Sequence, residues 1–184
     1  IVNVEAGDLV PADGRILRRY PVERSPQRIA RLARFYDEWS EQLAKVDFEP
    51  LGFEGRIDHI LLRNEVVDEA KLLRRFEAQV AEAAPLVPFA GIIHGLNDAR
   101  LAMETMNAAR AATVLDSLAG AVEAARRSAE AGKAKTGRRS ALRAQEAIDD
   151  LERALESWYR FYADYDPAFT WWAQAPRKKV IAAL

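Results

Sequence analysis

SPQRIARLARFYDEWSEQLAKV, residues 25–46, is the stretch whose reading decides the fold class. Ile29, Leu32, Tyr36, Trp39, Leu43 and Val46 recur at spacings of three and four, which gathers them on one face of an amphipathic helix. Ser25 stands where an N-cap belongs. Pro26 takes the first helical position, where a missing N–H has no intrahelical partner to lose. Pro50 and Gly52 then end the run.

Working outward, a longer pattern runs from Phe53 to Ala84 through Ile57, Ile60, Leu61, Val67, Leu72, Leu73, Phe76 and Val80, in a background of good helix formers. Pro85 and Pro88 bracket a turn, and residues 89–104 (FAGIIHGLNDARLAME) predict a short helix interrupted by Gly91 and Gly95. A fourth helix is predicted over Asn107–Ala131 and a fifth over Arg138–Tyr165. A sixth starts near Phe169 and runs to the end, with a kink or restart expected at Pro176. Before Arg24 the chain is punctuated by Gly7, Pro11, Gly14 and Pro21 and reads as extended or looping. No alternating stretch is long enough for a strand. The expectation is an all-α fold: an irregular segment over 1–24, then one domain over 25–184, a bundle of five to six long helices, largely antiparallel across short connections.

The composition agrees with a globular domain: 184 residues, 49% hydrophobic and 30% charged, with a formal net charge of -1. A chain of this length buries about 70% of the surface its unfolded form exposes, so a core needs no disulfide or metal. The absence of cysteine excludes disulfides and thiolate chemistry. No run approaches the roughly 18 apolar residues of a membrane span, and the near-zero charge supplies no global attraction to nucleic acid. Nothing in the composition selects between cytoplasm and periplasm. The chain starts on Ile1 and stops in the amphipathic RKKVIAAL, so it is expected to be a segment of a longer protein.

Zinc hydrolases commonly place two histidines on one helical face as His-Glu-x-x-His. Here only His59 and His94 occur. His59 has Arg63 one turn on and His94 has Asp98 at i+4, and both read as surface or hydrogen-bonded packing histidines. No Gly-x-Ser-x-Gly and no phosphate-binding glycine loop occurs. No catalytic or metal-ligating residue is therefore assigned. Residues 54–66 (EGRIDHILLRNEV) are dense in polar groups, and Arg56, His59 and Arg63 share a helical stripe that could face an anion or a peptide terminus; a solvated face with local ion pairs is the alternative. The basic run over 126–143 lacks interleaved aromatics and reads as a solvated connection, not a nucleic-acid interface. Gly91 and Gly95 form a G-x-x-x-G spacing, expected to let another backbone come close. In DPAFTWWAQAPRKKV, residues 166–180, Asp166 and Pro167 read as N-cap and first turn. Trp171 and Trp172 lie about 100° apart on a helix, so one is expected to anchor the core while the other points outward.

Three stretches together, FEGRIDHILLRNEV (53–66), AAPLVPFAGIIHGL (83–96) and DPAFTWWAQAPRKKVIAAL (166–184), resemble the N-terminal part of the bacterial family called domain of unknown function 885, described as zinc-dependent peptidases or hydrolases. The resemblance implies a large, mostly helical protein whose metal motif, a His-Glu followed after a short gap by Gly-His, lies in the second half of the full-length chain. That motif does not occur here, so zinc is expected only in the longer parent. This chain would supply a helical wall or lid around a substrate channel, with Arg56, His59, Arg63, Trp171 and Trp172 as channel candidates, and with the remainder of the parent chain and a peptide substrate as partners. The competing expectation is a non-enzymatic interaction module that binds a protein through exposed aromatics, Trp39, Trp158, Trp171 and Trp172.

Overall fold

The computed structural model describes residues 25–132 and 137–184; the segment 1–24, expected to be irregular, lies outside the described residues. Among the described residues the chain is all helical, without a strand: α1 Pro26–Ala44, α2 Phe53–Ala83, α3 Ala90–Leu101, α4 Ala108–Glu130, α5 Arg138–Ala163 and α6 Pro167–Ala183. No described helix is long and apolar enough to cross a membrane.

Local chemistry explains most boundaries. Pro26 opens α1, and Ser25 gives no side-chain capping bond; its hydroxyl donates instead to the Gln27 side chain at 2.9 Å. Asn107 caps α4, its Oδ1 accepting from the Arg110 N–H at 2.9 Å. After α4, Gly132 takes φ +66°, the left-handed conformation that lets a helix end without a Cβ penalty. Asp166 caps α6 through the Phe169 N–H at 3.0 Å, with Pro167 in the first turn. α6 then passes through Pro176 as one continuous helix, with no restart there, and buries that ring.

The apolar residues form two clusters. The smaller joins Leu32, Phe35, Tyr36 and Leu43 of α1 to Val66 and Ala70 of α2, with Trp39 and Leu73 packed against it. α2 spans about 46 Å at the helical rise, and its last turns lie against α5. The larger cluster takes Ile93 from α3, Leu115, Leu118 and Val122 from α4, Leu151, Leu155, Trp158 and Tyr162 from α5, and Phe169, Ala173 and Val180 from α6. Helix α6 lies along α4, and Lys179 bonds Asp116 across that seam at 2.8 Å.

Two expectations about α3 are corrected. The helix runs unbroken through Gly91 and Gly95, and both glycines are exposed. A Cβ built at either would meet nothing within 4 Å, so the spacing does not serve a close backbone approach. Helix propensity disfavours each glycine by about 1 kcal/mol relative to alanine, a cost offset by the burial of Ile93 against α5.

Candidate functional site

The stripe on α2 separates in three dimensions. Arg56 turns back onto the loop before its own helix: Nε donates to the Leu51 carbonyl at 3.0 Å and Nη2 to the Glu49 carbonyl at 2.6 Å, while the guanidinium lies 5.3 Å from the Phe48 ring centroid. Its donors are thus spent on fixing the α1–α2 connection. His59 packs against the same Phe48 ring at 5.5 Å. With Arg63 it lines a hollow of about 330 Å³ whose wall includes Leu43, Val46 and Val66. The structure therefore brings together two of the three predicted residues and assigns the third to the loop.

The tryptophans also differ from expectation. Trp171 and Trp172 are both exposed, at 74% and 46%, and meet edge to face with centroids 4.8 Å apart. Neither anchors α6. That role belongs to Phe169, because the buried face of the helix runs through 169, 173, 176 and 180. Trp158, expected among the exposed aromatics, is completely buried, and Trp39 is half-buried. Three arginines of the basic run form ion pairs, Arg126 with Glu130, Arg139 with Glu82 and Arg143 with Glu146; its Lys133 and Lys135 lie outside the described residues.

Among the described residues no group of three or more His, Cys, Asp or Glu side chains could hold a metal ion. The described residues therefore do not fit a zinc centre, and no chemical step here runs through one.

Tertiary structure creates a different site. A cavity of about 390 Å³ lies between α3, the start of α4 and α5. Ile92, Leu96, Val114 and Trp158 form its apolar wall, and Asp98, Glu104, Arg110 and Tyr162 contribute polar groups. Trp158 is fully buried, and its indole N–H has no hydrogen-bond partner. Burial raises the Tyr162 pKa, reinforced by Tyr165 and Glu104 and opposed by Arg100, so its hydroxyl stays protonated. The rim carries a backbone outlier, Met103 at φ 55°, which turns the chain out of α3 toward Glu104 and Thr105. Arg110 sits in the first turn of α4, where the helix dipole also favours negative charge. Opposite charges therefore share one cavity. That combination suits a zwitterion better than an ion of either sign. No local motif announces the arrangement, because Asp98, Glu104, Arg110 and Trp158 come from three helices and a loop.

On another flank of α3 lies a second, drier slot of about 260 Å³, lined by Val80, Ala83, Val87, Pro88, Ala147 and Leu151 together with His94. His94 is only 8% exposed, and its Nε2 is buried without a partner. This corrects the expectation of a surface or hydrogen-bonded histidine. Burial lowers the His94 pKa, with Asp98 opposing, so the imidazole is neutral at pH 7. Asn97 is buried beside it in sequence; its Nδ2 donates to the Ile93 carbonyl at 3.1 Å, and its Oδ1 stays unsatisfied.

No family model matches the chain, and neither the curated proteins nor the solved structures give a match.

Proposed function

We propose that this chain is the helical part of a zinc-dependent peptidase or hydrolase, forms a wall of its substrate channel, and holds an unblocked peptide terminus in the cavity between α3, α4 and α5. One observation carries the reading: Arg110 and the carboxyl-bearing Asp98 and Glu104 line one cavity together with the apolar Ile92, Leu96 and Val114. A peptide carboxylate would accept from Arg110, while an ammonium group would meet Asp98 and Glu104. The apolar wall takes the intervening side chain. The resemblance of the three sequence stretches supplies the enzymatic context, with the zinc motif outside this chain. The contribution of these residues is to orient substrate and exclude water.

The test is calorimetric titration with trialanine and with its N-acetylated, C-amidated form. Removal of one charge-assisted hydrogen bond weakens binding by about tenfold or more, so the capped peptide binds far less tightly. Arg110→Ala removes the preference for a free carboxylate. Equal binding of capped and free peptides overturns the site. A longer parent that holds no zinc and hydrolyses no peptide overturns the enzymatic half of the reading.

The exposed pair Trp171 and Trp172 favours a second reading, a helical module that binds a protein partner through α6. In that case Trp171→Ala abolishes partner capture and leaves the unfolding curve unchanged.

A further inference from the structure

Helix α2 carries two apolar faces, and α1 covers one of them. Val66 and Ala70 are buried in the cluster with α1. On a different face Phe53, Ile57, Ile60 and Val67 are exposed, Phe53 at 76% and Ile60 at 48%. The series Phe53, Ile57, Ile60, Asn64, Val67, Lys71 advances by four and three in strict alternation. That is the repeat of a coiled-coil seam, with Phe53, Ile60 and Val67 at d positions and Ile57, Asn64 and Lys71 at a positions. An ideal helix drifts by about 20° per heptad against this repeat, so over so short a stretch all six stay on one face. Arg74, at the next d position, ends the seam with a charge.

We infer that a second copy of this chain docks on this face, the two α2 helices pairing parallel and in register as a short two-stranded coiled coil. Asn64 and the flanking charges select that occupant. Asn64 is exposed at an interior a position, where an apolar residue would bury more surface. Opposite its own equivalent in a parallel pair the amide finds a hydrogen-bonding partner, the device that fixes register in coiled coils. Beside the seam, Arg63 stands at a g position and forms no ion pair among the described residues. In the parallel pair it faces the e position five residues on in the second copy, which is Asp68. An antiparallel pair centred on the same seam would set Arg63 against Arg63 and Glu54 against Asp68, like charge against like, and would place Asn64 over Ile60. Over two copies the exposed parts of the seam, with Leu61 at an e position, come to on the order of 1,000 Å², the lower bound for a specific interface. The helix is already ordered by its packing on α1, so pairing need not supply the free energy of forming it. The inference is independent of the peptide reading, because it uses no residue of that cavity.

The test is sedimentation equilibrium of the intact chain, with circular dichroism as the check on folding. The expected result is the mass of two chains, with a dissociation constant on the order of 10 µM for an interface at the small end of the range. Ile60→Asp, at an exposed position, leaves the helical spectrum unchanged and the chain monomeric. Arg63→Asp weakens pairing by about tenfold, and Arg63→Asp with Asp68→Arg restores it. The chain has no cysteine, so a single introduced thiol can form a disulfide only between copies. Asn64→Cys cross-links on mild oxidation, because equivalent a positions of a parallel pair lie within disulfide reach, whereas Asp58→Cys, off the seam, does not. A chain that stays single at about ten times the expected constant overturns the inference, whether residues 1–24 or a different protein covers the face. A dimer that survives Ile60→Asp overturns it too, since assembly then uses another surface. Failure of Asn64→Cys to cross-link in a chain that dimerises, or of the charge swap to restore affinity, overturns the parallel pairing.

Discussion

The Trp158 indole meets the Phe169 ring edge to face, with centroids 5.4 Å apart and planes at 75°, and both side chains are completely buried. This packing joins α5 to α6 across the Asp166–Pro167 break. Tyr162 packs on Phe169 at 5.3 Å from another side. Phe169→Ala should therefore lower unfolding free energy by about 3–5 kcal/mol, through reduced burial plus a cavity that the stacked rings cannot collapse. Trp171→Ala, two residues on, should change it by no more than about 0.5 kcal/mol. Urea unfolding of the two variants measures the contrast.

Gly120 lies in the interior of α4, exposed, with open space where a Cβ would stand. Gly120→Ala should stabilise by about 1 kcal/mol through helix propensity alone. For a chain of this size that raises Tm by about 2–4 °C. Gly132 has equal space but a φ of +66°, so Gly132→Ala should destabilise by about 1–2 kcal/mol. Opposite shifts in two thermal melts check that conformation, not crowding, decides the sign.

Helix boundaries were legible because their causes are local. Pro26, Asn107 and the Asp166–Pro167 pair act within one turn of themselves. The burial of Trp158 was also legible in principle: it continues the stripe of Ala147, Leu151, Ala154 and Leu155 on α5. Likewise Trp171 falls off the face defined by Phe169, Ala173 and Val180, a phase that outweighs the attraction of indole for a core. What a one-dimensional reading lacks is the neighbour. Gly91 and Gly95 suggest close approach by their spacing, but no backbone lies opposite them. Arg56 shares a stripe with His59 and Arg63 until the preceding loop supplies carbonyls within its reach. The mixed-charge cavity depends wholly on how α3, α4 and α5 converge.

Glu156 is the hub of a half-buried polar group on α5. It accepts from Arg160 at 3.0 Å and from Arg177 of α6, whose Nε lies 3.0 Å away and whose guanidinium sits 4.9 Å from the Tyr159 ring centroid. Glu156→Gln should cost about 1 kcal/mol, since solvent still screens the pair in part. Asp116→Asn breaks the more exposed ion pair with Lys179 and should cost no more than about 0.5 kcal/mol. Chemical denaturation in low salt and in about 1 M salt, where the screening length falls to about 3 Å, should shrink both differences and keep their order.

His94 makes stability depend on pH in a direction fixed by its burial. Its folded-state pKa lies below the usual 6.5, so between the two values the unfolded chain binds more protons than the folded one. Stability is thus at its full value above the usual histidine range and falls as the pH drops through about 6.5 toward the lowered folded-state pKa, with a slope bounded by the one-proton limit of about 1.4 kcal/mol per pH unit. The nearby Asp98 carboxylate favours the imidazolium and limits the shift without reversing it. Unfolding free energies of the wild-type chain and of His94→Gln, measured between pH 5 and 8, isolate this residue from every other titrating group. The difference between the two curves should be constant above pH 6.5 and move in favour of the variant below it. Curves that stay parallel down to pH 5 would mean that the imidazole is not held neutral by the slot.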